Sequence, residues 1–179
     1  MADTDLQTSL AALAEHEARV QSGPLTRLMR RLGRTAQFAA VYRRVGPVID
    51  PRIAHINDGK LMAKLYGFPV LILHTTGAKS GLPRSSPLLY VRDGDCFFVV
   101  GTNFGQAHHP AWTGNLLKTP QAIVEIGAAH LPVVAELLGE DEFAAMWPRF
   151  VAIYPGYTGY LARSGRTPRM FRLRPRASS

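Results

Sequence analysis

From residue 70 onward, short apolar runs alternate with turn residues, a pattern typical of β-strands. The predicted strands are residues 70–75, 87–92, 96–102, 122–126, 131–137 and 169–174. Between the second and third runs, Arg92-Asp-Gly-Asp95 carries the Asp-Gly pair of a tight hairpin. Because the strands are mostly hairpin-linked and helices interrupt them only twice, the pattern predicts an α+β, mostly β fold built on a small antiparallel barrel.

Four segments are predicted to be helical. Residues 110–118 begin with a proline suited to a first helical turn. Residues 141–153 carry acids at the N-terminal end, and Pro148 is expected to kink or shorten that helix. Residues 6–20 and 25–45 also read as helices, the latter basic and amphipathic. We therefore expect an N-terminal helical extension, residues 1–59, followed by a barrel domain, residues 60–179.

The charge balance favours an anionic partner. The 179 residues include 21 Lys and Arg against 13 Asp and Glu, a net charge of +8, and the surplus lies in two acid-free segments, 27–44 and 163–176. Such segments suit an anionic ligand, an anionic membrane surface or nucleic acid.

The single cysteine, Cys96, excludes an internal disulfide. The sequence has no signal pattern and no apolar run of about 18 residues, so we do not expect an integral membrane protein. We expect a cytoplasmic location.

The first two predicted strands are joined by a Gly-rich basic turn. Gly77 and Gly81 allow backbone conformations closed to other residues, Lys79 and Arg84 supply charge, and Ser80 supplies a hydroxyl donor. A phosphate could bind there. The spacing is not that of a P-loop, because a second strand rather than a helix follows. An ordinary basic hairpin turn is the alternative.

Two further segments could carry chemistry. Residues 101–112 follow a strand and precede a helix, so their amides can face a ligand. Within them His108 and His109 lack a third ligand at a useful spacing, and no metal site is predicted. The phenols of Tyr154, Tyr157 and Tyr160 would share one broad face of a helix, where they could line a pocket for a planar ring or donate a proton. They could equally cover the core.

Four motifs in order carry a resemblance to a known family. They are residues 75–84, residues 87–95, His109-Pro-Ala-Trp112 with Asn115-Leu116, and Tyr154-Pro-Gly-Tyr157 with Tyr160. Together they cover roughly residues 60 to 175 and resemble the deazaflavin-dependent nitroreductase family of actinobacteria, whose members use coenzyme F420. The resemblance implies a split antiparallel β-barrel of the FMN-binding type. It also implies hydride transfer from reduced F420 to a quinone, an activated alkene or a nitro compound.

The resemblance also implies roles for individual residues. Lys79, Ser80, Gly81 and Arg84 would hold the phosphate and oligoglutamate tail, and Pro87, Leu88, Leu89, Gly101, Thr102 and Asn103 would line the deazaflavin, with Trp112 shaping the wall. Tyr154, Tyr157 and Tyr160 would surround the substrate, and Tyr154, Tyr157, Thr102 or water would supply the proton.

Three positions depart from the family pattern. Ala78 and Asn103 stand where relatives often carry Arg or Lys, so tail contacts could come from Arg163 or Arg166 instead. Leu89 replaces an aromatic residue, which places nitroimidazole reduction in question.

Two alternative functions stay open, an FMN-dependent reductase on a related split barrel and a basic barrel that binds nucleic acid without catalysis. A homodimer is also compatible with the sequence. So is peripheral contact of the N-terminal helices with the inner face of the plasma membrane, although packing on the barrel or on a partner subunit would explain the same amphipathic pattern.

Overall fold

The computed structural model describes residues 68–176 and, near the N-terminus, Gln7, Thr8, Leu10, Ala11 and Leu13. Those five residues are helical, as predicted for residues 6–20, and Leu10 and Leu13 are buried against the barrel core. The helix predicted at residues 25–45 and the domain boundary at residue 59 lie outside the described residues. No helix among the described residues has the length and apolarity needed to cross a bilayer.

Six antiparallel strands close into a barrel in the order β1-β2-β3-β6-β5-β4. They are β1 (Val70–Thr76), β2 (Pro83–Asp93), β3 (Cys96–Gly101), β4 (Gln121–Ile126), β5 (Ala129–Leu137) and β6 (Arg169–Pro175). Asp93 pairs with Cys96 across the predicted Asp-Gly hairpin, and Gly94 adopts the left-handed backbone that this turn needs (φ 57°). The predicted mostly β barrel is thus confirmed.

Strand β2 begins earlier than the apolar pattern indicated. Thr76 pairs with Pro83, and the register then continues to Val70 opposite Leu89. Polar residues 84–86 are therefore part of the strand although they carry no apolar signal. The hairpin closes immediately after β1, because the backbone bond from Gly77 to Leu82 fixes the register ahead of the apolar run that starts at Pro87.

Alternate residues of every strand fill the barrel. The inward set, here called the barrel core, is dominated by fully buried side chains, among them Leu73, Phe97, Val99, Val124, Val133, Phe171 and Leu173. Burying each such side chain contributes about 1.5–3 kcal/mol. Helix α1 (Ala111–Lys118) adds Trp112 and Leu116, and the Trp112 ring lies 5.8 Å from that of Phe171.

A second layer covers the outer face of β2, β3 and β6. Helices α2 (Glu140–Ile153) and α3 (Tyr157–Ser164) pack there on Val91, Phe98, Val100 and Met170, forming what is called here the outer cluster. Helix α2 continues through Pro148 to Ile153, so the proline does not shorten it, and the kink given as the other expectation stays a prediction. Met146 and Phe150, on either side of Pro148, are buried against the barrel, and this packing offsets the missing backbone hydrogen bond.

Candidate functional site

The basic turn, residues 77–84, is held by its own backbone. The Gly77 N–H donates to the Leu82 carbonyl at 2.8 Å, and the Gly81 N–H donates to the Gly77 carbonyl at 2.8 Å. Gly81 has a left-handed backbone (φ 69°). A Cβ on Gly77 would lie 2.6 Å from Ser80 Oγ and 3.1 Å from the Leu82 carbonyl oxygen. Gly81 is therefore favoured by its backbone angle, and Gly77 by the lack of space for a side chain.

Helix α1 fixes the position of this turn. Asn115 Oδ1 accepts the Ala78 N–H at 2.9 Å, and Asn115 Nδ2 donates to Thr75 Oγ1 at 3.0 Å. Lys118 Nζ donates to the Ala78 carbonyl at 2.6 Å. Asn115 is buried, so its two bonds are protected from water. The sequence motif contained Asn115, but its role in holding the turn became visible only in the fold.

The outer side of the turn presents positive charge to solvent. Lys79, Ser80 and Arg84 are all exposed. Arg84 donates to Ser80 Oγ at 3.4 Å and to the Pro83 carbonyl at 3.1 Å. Within residues 68–176, neither Lys79 nor Arg84 forms an ion pair with an acid. Two cations and a hydroxyl on a rigid turn, without a competing carboxylate, form a donor set that fits a phosphate or carboxylate group.

The loop of residues 101–109 has a strained backbone. Asn103, Phe104 and Gly105 are consecutively left-handed, with φ angles of 48°, 54° and 78°. Only one of the three is glycine, and each of the other two costs of order 1–3 kcal/mol in such a conformation. Asn103 Nδ2 donates to the His108 carbonyl at 3.2 Å, which helps to hold the loop. The Asn103 side-chain amide is therefore hydrogen-bonded within the loop.

This loop contacts both α1 and α3. Gly101 lies against α1, because a Cβ there would be 2.6 Å from Thr113 Cγ2. Gly105 lies against α3, where a Cβ would be 3.1 Å from Tyr160 Cα. Turn, helix α1, loop and helix α3 thus form one continuous set of contacts. The segments that the sequence singled out separately are joined into one region of the barrel surface.

Arg166 organises the loop from the other side. Its Nη2 donates to the carbonyls of Gly101, Thr102 and His108 at 3.2, 3.2 and 3.0 Å, and its Nη1 lies 2.9 Å from His109 Nδ1. Burial, followed by the charges of Arg166 and Arg169, lowers the pKa of His109 below its ordinary value. The guanidinium is occupied within the protein, which argues against the expected use of Arg166 for the coenzyme tail. Only its place in a basic C-terminal segment marked it in the sequence.

The three tyrosines form one compact cluster. Tyr154 follows the end of α2 and Tyr157 begins α3. The ring centroids lie 5.2 to 6.0 Å apart, and the hydroxyls of Tyr154 and Tyr160 are hydrogen-bonded at 2.9 Å. All three side chains are buried, with at most 6% of each residue exposed. They therefore pack as part of the outer cluster, as the core-covering alternative expected, while the Tyr154 and Tyr160 hydroxyls stay in contact.

Arg163 lies over this cluster. Its guanidinium is 5.1 Å from the centroid of the Tyr160 ring, and its Nη2 donates to the Phe104 carbonyl at 3.4 Å. The side chain itself is exposed. Arg163 thus bridges the 101–109 loop and the tyrosines while leaving part of its charge open to solvent.

The remaining predicted residues are buried or half-buried. Leu88 packs on the barrel core and Leu89 on the outer cluster, as alternation along β2 requires, and Pro87 is half-buried. Thr102 is buried and Trp112 belongs to the barrel core.

A nucleic-acid surface would need exposed strand aromatics beside the arginines. Tyr90, Phe97 and Phe98 are instead at most 4% exposed. This burial weakens the nucleic-acid alternative.

The profile of the F420H(2)-dependent quinone reductase family matches residues 49–172. The chain belongs to this family. It is 34% identical over 114 residues to the F420H(2)-dependent quinone reductase Rv1261c of Mycobacterium tuberculosis, covering 62% of this chain and 76% of that protein. Among solved structures, the F420-H2 dependent reductase FDR-A is 32% identical with a TM-score of 0.55, and the match covers 59% of this chain and 93% of FDR-A.

A further solved chain, described as a domain-swapped dimer, has the same 32% identity and TM-score of 0.55, with 59% of this chain and 79% of that chain covered. Family membership confirms the predicted enzyme class, a reductase that depends on coenzyme F420, and does not favour the FMN or nucleic-acid alternatives.

Proposed function

We propose that this protein transfers a hydride from reduced coenzyme F420 to a quinone, with the coenzyme's anionic part on the basic turn. The observation that carries this assignment is the turn itself, in which Lys79 and Arg84 are exposed, free of acidic partners among the described residues and held in place by Asn115. Pro87, Leu88 and Leu89 of β2 and residues 101–103 would then hold the deazaflavin through backbone groups. The similarity to named F420H(2)-dependent reductases supports the same assignment.

The bound coenzyme supplies the hydride, and the chain supplies binding, orientation and a proton. Phenols are protonated at neutral pH, so tyrosine acts as a donor and not as a base. In the proposal Tyr154 or Tyr157 donates to the acceptor oxygen as negative charge develops there, with Thr102 as the other candidate donor. Tyr160 holds the Tyr154 hydroxyl in place through their 2.9 Å bond.

The burial of the tyrosines bears on how an acceptor reaches them. Because each of the three is almost fully buried, a quinone can contact the hydroxyls only when neighbouring side chains move. Phe104 and Arg163, which pack over Tyr160 from the loop and from α3, are the proposed mobile cover. A flat apolar ring can pack on phenol faces once that cover has moved, which is why we propose a quinone as the substrate class.

The anion assignment is tested by titrating F420 into Lys79→Ala and Arg84→Ala. Loss of one exposed charge contact of about 1 kcal/mol should weaken binding roughly fivefold, and less at high salt. Arg149→Ala is the matched control, since it removes the same charge from the Asp93 end of β2. That end is ten residue steps from Pro83, about 33 Å measured along an extended strand. Unchanged F420 affinity in both turn variants would contradict the anion-site assignment. Parallel titrations with FMN and with an oligonucleotide test the FMN-dependent and nucleic-acid-binding alternatives.

We also propose a homodimer, supported by the similar chain described as a domain-swapped dimer. Light scattering coupled to size exclusion should give twice the 19.7 kDa chain mass. A monomer at all concentrations would exclude it.

Contact of residues 25–45 with anionic lipid is likewise a proposal, supported by the arginines of that segment. Co-sedimentation with phosphatidylglycerol vesicles, but not with phosphatidylcholine vesicles, is the expected result. Equal behaviour with both lipids would contradict it.

A further inference from the structure

Two histidines and a glutamate meet on the outside of the barrel. His74 lies on β1, Glu125 on β4 and His130 on β5. The register explains the meeting: Glu125 pairs directly with His130, and β1 pairs with β4 through Ile72 opposite Glu125 and His74 opposite Ile123. Their chain neighbours Leu73, Val124 and Leu131 point into the barrel core, so these three side chains point outward.

The side-chain ligand atoms are already close together. One nitrogen or oxygen from each residue lies within 4.8 Å of the other two. His74 Nε2 is 2.9 Å from Glu125 Oε2, and the His74 and His130 rings are stacked with centroids 6.3 Å apart and an interplanar angle of 27°. Two ligands on a tetrahedral zinc ion lie about 3.3 Å apart, given Zn–N bonds of about 2.0–2.1 Å. Small side-chain rotations therefore suffice to place all three on one ion.

A neighbouring strand fixes the orientation of the His74 ring. Ser85, on β2, places its Oγ 2.9 Å from His74 Nδ1. With Nδ1 engaged by the hydroxyl, Nε2 is the nitrogen directed at Glu125. A hydrogen bond to the second ring nitrogen is the usual support for a metal-ligating histidine, because it sets the tautomer and the ring orientation.

We propose that His74, Glu125 and His130 form a surface binding site for a divalent transition metal of the Zn²⁺ type, completed by water. Two imidazoles with one carboxylate suit zinc and its neighbours, whereas Mg²⁺ and Ca²⁺ prefer oxygen ligands. The ligands come from three adjacent strands of a closed barrel, which holds their backbones rigidly. The ion would link β1, β4 and β5 and stabilise the native barrel, because the unfolded chain does not bring these residues together.

The test uses tag-free protein, since an affinity tag of histidines would bind the same ions. Zn²⁺ is titrated calorimetrically, and Co²⁺ absorption in the visible range reports nitrogen and oxygen ligation. The expected result is one ion per chain and a higher thermal midpoint with Zn²⁺. His130→Ala and Glu125→Gln should each weaken binding at least about tenfold, a loss seen even when only outer partners of metal ligands are removed. Ser85→Ala should weaken it about tenfold on the same ground.

His108→Ala is the matched control, because His108 is also an exposed histidine but lies in the 101–109 loop. It should bind Zn²⁺ like the unaltered protein. His130 is exposed, so its substitution should not disturb folding, and circular dichroism without metal checks this for every variant. Absence of stoichiometric binding, or full binding in both His130→Ala and Glu125→Gln, would overturn the proposal. None of these readouts depends on coenzyme F420, so they fail or succeed independently of the proposed reductase function.

Discussion

Asn115 Oδ1 accepts the backbone N–H of Ala78 at 2.9 Å, so a buried side chain of α1 sets the position of an exposed turn 37 residues away in sequence. Asn115→Ala removes this bond and the bond to Thr75. We expect a stability loss of about 1–3 kcal/mol, since buried groups lose their partners. We also expect weaker F420 binding, because Lys79 and Arg84 are no longer held in one arrangement. Urea unfolding and coenzyme titration measure the two effects.

Leu117→Ala provides the control on the same helix. Leu117 is exposed and belongs to neither hydrophobic cluster described above, so both stability and F420 affinity should stay near their original values. If Asn115→Ala lost stability but bound F420 normally, the helix would support the fold without positioning the turn.

Two glycines should respond in opposite directions to alanine. At Gly105 the backbone is left-handed (φ 78°) and a Cβ would lie 3.1 Å from Tyr160 Cα, so Gly105→Ala should cost at least about 1–3 kcal/mol. At Gly114, inside α1, no atom lies within 4 Å of a Cβ, and Gly114→Ala should stabilise by about 0.5–1 kcal/mol. Thermal and urea unfolding of both variants measures this. A destabilised Gly114→Ala would contradict the open space seen at that position.

The strands could be read from the sequence because alternation and turn residues are local signals. The Asp93–Cys96 hairpin follows from two residues, and alternation places Phe171 and Leu173 inside the barrel. Polar residues at the start of β2 gave no such signal, since their place in the strand depends on pairing with β1.

The candidate site was only partly predictable for a related reason. Gly77 and Lys79 are recognisable within one segment, but Asn115 and Arg166 act on carbonyls and amides that are distant in sequence. An asparagine in a helix and an arginine in a basic tail carry no sequence signal for those contacts. The cluster of His74 with Glu125 likewise depends on strand register across 51 residues.

Removal of single hydroxyls should separate chemistry from packing in the tyrosine cluster. If Tyr154 supplies the proton, Tyr154→Phe should lower kcat by about 10²-fold or more while F420 affinity stays unchanged. Tyr160→Phe deletes one hydrogen-bond partner of the Tyr154 hydroxyl and should lower kcat less, because the donor remains. Steady-state kinetics with a soluble quinone, together with a coenzyme titration, makes the comparison. Equal kcat in Tyr154→Phe and the original protein would transfer the donor role to Tyr157, Thr102 or water.

The contact between Arg166 and His109 should make stability depend on pH. Burial and two nearby guanidinium groups hold the pKa of His109 below its ordinary value, so the native protein keeps this ring neutral where the unfolded chain protonates it. The unfolded state then binds more protons, and stability falls as the pH drops through about 6.5, levelling off below the lowered native pKa. Above about pH 7.5 both states are neutral and the effect disappears.

His109→Gln isolates this contribution from the other five of the six histidines. Glutamine retains an oxygen that can accept from Arg166 but does not titrate. Urea midpoints measured between about pH 7.5 and about pH 5.5 should therefore decline less in the variant than in the original protein, because only one ionisation has been removed. Parallel declines would mean that His109 takes up its proton equally in both states, and that acid leaves its contact with Arg166 intact.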